Sequence, residues 1–517
     1  MASKRIVIDP LTRIEGHLKI ATQVENGIVV EAKASAEMFR GIEKALIGYD
    51  ARVAQQVTQR VCGVCPYAHA EAAGRALEMA MGITPNTNGK ILRNLINGAY
   101  QLQDYLLHFY HLCALDFIDI TACLKYEGRD ETLLGLKAWV QSELKNREIF
   151  PAAPFLPRYK AAYCTNQELN VSAIKHYVEA LPVMADFLKM VCIFGGKAPH
   201  PITIEAGGVT TVPSVSMIAH YQTIFEKSER FIKNEYFNDL VGVAKEFKTY
   251  FKEGRGYGNL LSYPHFFDKD GNNPIFSGGS LINGVYSPLD VNQIQEDMTF
   301  SYYQTTGSAQ TKPLAFDQLI PISEHEFENE QKKESGKYSW SRAPRYKGEV
   351  VEVGPVARVV TTYKSGKNPK LNALVDKINS TLGISLEDYP SVMGRHLCRY
   401  ISATLTIDLI REQLDQLEPG KVAFVEHDVP QNARGYGLTE ASRGALAHWI
   451  ETDDRGYIKN YEMIVPTTWN ISPRDSSGRP GAVEQMLLGT KVQDSDNPVE
   501  LARIVRSTDP CLACAVH

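Results

Sequence analysis

Two cysteine pairs stand at opposite ends of a chain of 517 residues. Cys62 and Cys65 form the first pair, and Cys511 and Cys514 form the second. In each pair two residues separate the thiols, a spacing that lets both sulfurs bind one ion. Either pair alone equally fits a redox dithiol or two packed cysteines. Together they provide four soft ligands, the number that a tetrahedral or square-planar ion requires, provided that the fold brings the two ends together.

The distance between the pairs bears on the kind of site. A structural zinc site with four cysteines usually joins pairs that lie about 15–20 residues apart, because it stabilises a small module without a core of its own. Here the pairs are separated by most of the chain. This spacing favours a metal site in the interior of an already folded body, and therefore a catalytic metal.

Four further stretches of the chain carry recognisable patterns. They are residues 13–17 (Arg-Ile-Glu-Gly-His), 38–43 (Met-Phe-Arg-Gly-Ile-Glu), 442–446 (Ser-Arg-Gly-Ala-Leu) and 465–470 (Val-Pro-Thr-Thr-Trp-Asn). With the cysteine pairs and their neighbours Arg60, His69, Asp509 and His517, they resemble the signature stretches of the large subunit of nickel–iron hydrogenases. The stretches follow in family order, so the resemblance covers the whole chain.

The residue patterns predict a mainly α protein with small β elements (α+β), a core of long helices in a bundle and peripheral antiparallel sheets. Asn26-Gly27 between two apolar runs indicates a hairpin near the amino terminus. Apolar residues recur at helical spacing from Leu92 to Phe109, after the cap-like Thr87-Asn88. The resemblance implies one interwoven domain over residues 1–517.

Several other segments have a predictable character. Helices are expected from about residue 51 to 81 with a pause at the first cysteine pair, and over 171–192, 216–252 and 405–417. The charged stretch 323–350 suggests a solvated surface excursion, and 469–498, rich in Gly, Pro, Ser and Asp, suggests an irregular loop. The five single cysteines are expected to be small buried core residues without a ligand role; they are Cys113, Cys123, Cys164, Cys192 and Cys398.

The resemblance implies a metal centre at the cysteine pairs. Cys62 and Cys511 would bind nickel only, whereas Cys65 and Cys514 would bridge nickel to iron. The iron would carry carbon monoxide and cyanide in a pocket formed by Val465, Pro466 and Thr467, with Thr467 donating to a cyanide. In one branch of the family selenocysteine stands at the position of Cys511, where this sequence has cysteine.

Side chains around the centre acquire roles by the same resemblance. His69 would hydrogen-bond a bridging sulfur, and second-shell donors of this kind tune a metal. Arg443 would lie over the open face of the metals, held by Asp104 and Asp509 because a buried arginine requires partners. Ser442 departs from the proline that many relatives carry before this arginine.

Two further expectations concern protons and a second metal. Heterolytic cleavage of H2 requires a base, and we expect Cys511 to accept the proton and Glu15 to pass it on. A magnesium ion is expected at Glu43, His517 and a backbone carbonyl near Met463. His108 and His111 share a helix face with Asp104, but we expect no metal there.

The implied function is the catalytic oxidation of H2 to protons and electrons, in reversible form. Because the chain has no further cluster of cysteines to hold iron–sulfur centres, a small subunit carrying them is expected, in a heterodimer or a dimer of heterodimers. Two alternatives stay open: a hydrogen sensor with the same metals and a zinc-stapled scaffold. A related quinone-reducing complex subunit is disfavoured, because it lacks the paired cysteines.

Composition limits the partners and the location. A net charge of −5 offers no basic field for nucleic acid, and no apolar stretch is long enough to span a membrane. No signal-peptide core follows Met1, so we expect a periplasmic or membrane-associated location through the partner subunit, with a cytoplasmic one also open. The end at His517 is expected to be that of a processed form.

Overall fold

The computed structural model describes residues 3–146, 159–160, 162–304, 310–313, 321–322, 328 and 336–517. Long helices form its centre, as the residue patterns predicted. The helices of eight residues or more are Pro66–Met81, Thr87–Leu106, Glu131–Asn146, Gln167–Gly195, Val215–Phe231, Phe237–Glu246, Pro355–Ser365, Pro369–Leu382, Val392–Gln416 and Val499–Ser507. Shorter ones are Ile42–Leu46, Ala54–Thr58, Pro466–Asn470, Ala482–Leu487 and Leu512–Ala515. The predicted α+β class is confirmed.

The helix Thr87–Leu106 shows how the sequence produces this core. Its N-cap is Asn86, whose side chain accepts a hydrogen bond of 2.9 Å from Gly89 N, one residue before the predicted cap. The apolar face is buried against Gln167–Gly195 and Val392–Gln416. The periodic pattern extends to Phe109 because a π-helical turn, Leu107–Cys113, continues the helix.

Among the described residues, neighbouring strands within each sheet are antiparallel. The predicted hairpin is present in the amino-terminal sheet, where Asn26 and Gly27 both have positive φ, as a tight turn requires. The three-stranded sheets are Ser3–Ile8 with Leu18–Glu25 and Ile28–Ala36; Leu260–Ser262 with Gly279–Ile282 and Val285–Ser287; Ile294–Asp297 with Gln310–Thr311 and Ala343–Tyr346; and Arg434–Ala441 with Gly444–Thr452 and Ile458–Ile464. Two-strand pairs are Ile204–Glu205 with Gly208–Val209 and His265–Phe267 with Pro274–Phe276.

One sheet lies deeper than the expected peripheral position. Every residue of Gly444–Thr452 is buried. The helix Pro66–Met81 packs directly on the neighbouring strand Arg434–Ala441, where Gly437 lets the two backbones approach closely. This sheet therefore forms the support on which the first cysteine pair and its helix rest.

The two ends of the chain meet at the backbone level. Leu512 N donates to Glu15 O at 2.9 Å, and Glu15 N donates to Pro510 O at 3.3 Å. Gly16 has a φ of +80°, and a Cβ there would lie 2.7 Å from Leu512 Cβ, so only glycine fits this contact. The amino-terminal segment thereby positions the second cysteine pair.

Several local predictions differ from the structure. Most of residues 323–335 lie outside the described residues, but Ser339 to Tyr346 are buried, and the Trp340 ring is tilted by 32° against Phe39 at a centroid distance of 5.3 Å. The expected surface excursion is therefore wrong there. The segment 469–498 contains a buried helix, Ala482–Leu487, within its irregular backbone. Cys192 is exposed, whereas the other four single cysteines are buried.

In the described part of the chain, no helix is both long enough and apolar enough to cross a bilayer.

Replacing Gly437 with alanine should destabilise the fold, because the added Cβ would overlap the carbonyl oxygen of Ala72 in the packed helix. We expect the free energy of unfolding to fall by about 1–3 kcal/mol, as is typical of overpacking. Thermal denaturation would measure this. Gly135→Ala is the control, because its Cβ would meet nothing within 4 Å; an equal loss in both variants would contradict the packing argument.

Candidate metal centre

The four cysteines of the two pairs converge in the interior. Their sulfurs all lie within 4.8 Å of one another, and each residue is at most 3% exposed. Cys62 Sγ lies 3.3 Å from Cys511 Sγ, Cys65 Sγ lies 3.2 Å from Cys514 Sγ, and Cys511 Sγ lies 2.9 Å from Cys514 Sγ. Four sulfurs at this spacing can surround a single ion and share a second one.

Local structure explains why the first pair can carry thiolates. Cys65 is the N-cap of the helix Pro66–Met81, whose first position is a proline with no N–H to satisfy. The positive end of the helix dipole therefore lies beside its sulfur. Val64 N donates to Cys62 Sγ at 3.2 Å. Both features stabilise negative charge on sulfur.

Arg40 joins the two cysteine motifs. It donates to the carbonyl oxygens of Arg60 and Val61 beside the first pair and to Ala513 O within the second pair, at 3.2 Å for the last. A single guanidinium thus fixes the separation of the two loops.

Glu15 lies against the second pair, as the resemblance implied. Its Oε2 accepts from Cys511 Sγ at 3.2 Å and from Ala513 N at 2.8 Å. Burial raises the pKa of Glu15, and the neighbouring Cys62 raises it further. The carboxyl group is therefore easier to protonate than one in water.

A chain of side chains leads away from Cys514. His69 Nε2 lies 3.5 Å from Cys514 Sγ, and His69 Nδ1 lies 3.1 Å from His448 Nε2. His448 Nδ1 lies 2.7 Å from the hydroxyl of Tyr461. Burial lowers the pKa of His69 to about 3 and that of His448 well below its usual value, so both rings are neutral. If Tyr461 donates to His448, every ring N–H in the series points towards the sulfur.

Arg443 is buried, and only part of its guanidinium has a hydrogen-bond partner. Its Nη2 donates to Asp509 Oδ1 at 3.1 Å, whereas Nη1 lies 3.9 Å from Asp104 Oδ2. Among the described residues, Arg443 Nε and Nη1 have no hydrogen-bond partner. A buried donor without a partner is costly, so these atoms fit an anionic or polar ligand in the centre.

Ser442 hydrogen-bonds Asp104, the second carboxylate beside Arg443. Its hydroxyl donates to Asp104 Oδ2 at 2.7 Å and lies 2.8 Å from the hydroxyl of Tyr67. Burial raises the pKa of Asp104 to about 7, against the opposing effect of Arg443. The serine that replaces proline here therefore orients Asp104, while Asp509 makes the closer ion pair with Arg443.

Val465, Pro466 and Thr467 form a buried wall beside the sulfurs. Thr467 Oγ1 accepts from Cys511 N at 3.0 Å, which leaves its own O–H free to donate elsewhere. An apolar wall with a single hydroxyl donor suits small diatomic ligands on a metal.

A cleft of about 310 Å³ opens beside the centre. Its lining includes Glu15, His17, Met38, Arg40, Arg60 and Cys62. Cys62 and Glu15 both line this cleft, so it is a common route from these two residues to the protein surface.

The structure also brings Glu43, Met463 and His517 together. Glu43 Oε1 accepts from Met463 N at 2.6 Å and lies 3.0 Å from His517 Nε2. The unexpected member of this group is Arg342, which contacts all three. Sequence reasoning missed it because it belongs to the stretch assigned to the surface.

A second group of metal-binding residue types lies behind Arg443. His108, Cys113 and His396 offer ligand atoms within 4.8 Å of one another, with Cys113 Sγ 3.3 Å from His108 Nε2. His111 is not part of it; its Nε2 lies 3.1 Å from Tyr177 O. The neighbouring Arg399 lowers the pKa of both grouped histidines in addition to burial, and a positive neighbour opposes cation binding.

Sequence reasoning also missed Tyr67, His448 and Tyr461. Tyr67 contacts Ser442 and His448 contacts His69, each across the fold, and Tyr461 contacts His448 in turn. No local pattern marks such residues, apart from the position of His448 five residues after Arg443 in the same hairpin.

Comparison with known proteins agrees with this geometry. A family model described as nickel-dependent hydrogenase matches residues 40–517, and one described as HoxL-like matches residues 5–35. The periplasmic [NiFeSe] hydrogenase large subunit of Desulfomicrobium baculatum is 35% identical over 99% of this chain and 95% of its own. The hydrogenase-2 large chain of Escherichia coli K12 is 33% identical over 100% and 97%.

A solved structure is similar over its full length. The Ni-Fe-Se hydrogenase of Desulfovibrio vulgaris Hildenborough in the reduced state has a TM-score of 0.86 and 36% identity, covering 100% of both chains. The chain therefore belongs to the nickel-dependent hydrogenase family, an oxidoreductase class. Within that family it is a large subunit, the catalytic one; nothing in these comparisons supports the sensor alternative.

Cys511→Ala should remove nickel, because it deletes a ligand that contacts two of the other three sulfurs. The purified variant should retain well under half of the wild-type nickel by mass spectrometry. Cys123→Ala is the matched control, since Cys123 is equally buried but belongs to none of the ligand groups found among the described residues. Full nickel loading of Cys511→Ala would contradict the ligand assignment.

Proposed function

We propose that this chain catalyses the reversible heterolytic oxidation of H2 at a nickel–iron centre held by Cys62, Cys65, Cys511 and Cys514. The observation that carries the proposal is the meeting of four buried sulfurs from the two ends of the chain. The donor set fits, since soft thiolates suit nickel and iron. When bound, the two metals supply the electron-accepting centre for splitting H2.

The division of the four sulfurs between the two metals is carried over from the family resemblance. Cys65 and Cys514 face each other at 3.2 Å, and His69 stands beside Cys514. Thiolates shared by two metals carry less charge each, and a neutral N–H donor lowers it further. By that resemblance, Cys65 and Cys514 would be shared by the two metals, whereas Cys62 and Cys511 would hold nickel alone.

Cys511 and Glu15 are proposed to move the proton. The sulfur accepts it as H2 is split, and the carboxyl group 3.2 Å away receives it next. The raised pKa of Glu15 brings it closer to that of a working acid–base group at neutral pH. From Glu15 the proton enters the cleft that this residue lines.

Carbon monoxide and cyanide are proposed as the iron ligands. Support comes from the buried wall of Val465 and Pro466 and from two donors without a competing use. These donors are the hydroxyl of Thr467 and the unpartnered nitrogens of Arg443. Asp509 and Asp104 hold the guanidinium of Arg443 in place.

Electrons are proposed to leave through a small subunit that carries iron–sulfur clusters and docks close to the two cysteine motifs. Iron–sulfur clusters need several cysteines close together, and this chain has only single cysteines beyond the four in the centre. We further propose a heterodimer, or a dimer of heterodimers, of which this chain forms one interwoven unit. A periplasmic location, as the name of the D. baculatum relative states for that protein, is proposed for the complex.

The magnesium ion expected at Glu43, Met463 and His517 is not part of this proposal. The three groups lie together, but Arg342 Nη2 also contacts each of them.

The proposal predicts about one nickel per chain and infrared bands in the carbonyl and cyanide stretching region. The purified complex should also turn over H2 with an artificial electron acceptor. Zinc as the only metal, or nickel without those bands, would contradict the proposed centre. Nickel and bands without turnover would contradict catalysis alone.

Glu15→Gln should slow H/D exchange by about a hundredfold or more, because the amide fills the same space but cannot carry a proton. Nickel content and infrared bands should stay as in the wild type. Glu37→Gln is the control: burial also raises the pKa of Glu37, but this residue pairs with Lys19. Exchange at the wild-type rate in Glu15→Gln would remove it from the proton path.

A further inference from the structure

Arg342 occupies the centre of the group formed by Glu43, Met463 and His517. Its Nη2 lies 2.6 Å from Met463 O, 2.8 Å from His517 Nε2 and 3.0 Å from Glu43 Oε1. These are the atoms expected to bind a magnesium ion. One nitrogen of a buried guanidinium thus contacts every protein ligand of the expected ion.

The imidazole of His517 is already committed. Its Nδ1 is hydrogen-bonded to the carbonyl oxygen of Cys514, which can only accept, so Nδ1 carries the proton. Nε2 of a neutral ring then has one lone pair, and Arg342 Nη2, a donor only, takes it. If Nε2 is protonated instead, it has no lone pair at all. In neither state is His517 free to bind a metal.

The rest of the guanidinium shows that its charge is needed here. Nη1 lies 3.2 Å from Glu296 Oε2 and 3.6 Å from Glu462 Oε1. Glu43, Glu296 and Glu462 are each less than 10% exposed, and buried carboxylates require a compensating cation. The planar fork of arginine reaches the Glu43 side with one nitrogen and the Glu296 side with the other, which a lysine ammonium does not do.

We propose that Arg342 is the resident cation of this pocket, in place of a divalent metal ion. The guanidinium ties Glu43 to His517, three residues beyond Cys514, and so holds the segment that carries the second cysteine pair. This anchoring depends on side chains alone, so a chelator has nothing to remove. The proposal does not rest on the proposed reaction.

The first test uses the wild-type complex as purified. Magnesium, calcium and manganese, counted per protein chain, should each be well below one, and EDTA should leave the melting temperature unchanged. A crystal of the complex should show no anomalous peak between Glu43 and His517 at the iron edge. About one such ion per chain, or an anomalous peak at this position, would overturn the proposal whatever the activity of the enzyme.

The second test opens the pocket with Arg342→Ala. This variant should melt several degrees lower, regain part of the loss in MgCl2, and bind Mn²⁺, detected by electron paramagnetic resonance, at least ~10-fold more tightly than the wild type. Arg345→Ala is the matched control, because Arg345 is also buried but pairs with Asp475. The melting temperature of this variant should not change with either Mg²⁺ or Mn²⁺. Equal Mn²⁺ binding by wild type and Arg342→Ala would overturn the proposal. If Arg342→Ala does not fold, the wild-type measurements decide alone.

Discussion

The whole structure depends on holding four sulfur atoms close together in a place without water. Thiolates repel one another, and four around a divalent ion leave about two negative charges, which a protein interior tolerates poorly. Several groups of the fold lower this energetic cost. The helix starting at Pro66 turns its positive end to Cys65, Val64 N donates to Cys62, and Arg443 brings a full positive charge. The scaffold of long helices and the buried sheet keep these groups from relaxing away.

The route by which the chain ends meet explains the rest of the architecture. Glu15 pairs with residues beside Cys511 through its backbone, and Arg40 spans both cysteine loops. Both come from the first 40 residues, in the segments that connect and follow the strands of the amino-terminal sheet, and these segments hold the last part of the chain in place. The two pairs are far apart in sequence because the body that buries them has to lie between them.

Much of this arrangement was predictable from the residues. Strong local signals, such as Asn26-Gly27 and the repeat from Leu92 onward, fixed a hairpin and a core helix. The cysteine pairs predicted the centre because their chemistry is specific at short range. Contacts between distant segments were not predictable: Arg342 lies in a polar stretch that reads as surface, and only the fold shows that carboxylates surround it. Cys192 was misplaced for a related reason, since an apolar neighbourhood in sequence does not determine which side of a helix faces solvent.

The backbone pairing of Glu15 has a consequence for how such a site can vary. Because main-chain bonds to Pro510 and Leu512 set its position, the gap between carboxyl group and sulfur is fixed by the fold and not by the packing of exchangeable side chains. Substitutions around the cleft can then shift the acidity of the group while the transfer distance stays constant. The free-energy change of the proton transfer and the distance of that transfer are therefore set by different parts of the structure: the surroundings of the cleft set the first, and the backbone bonds of Glu15 set the second.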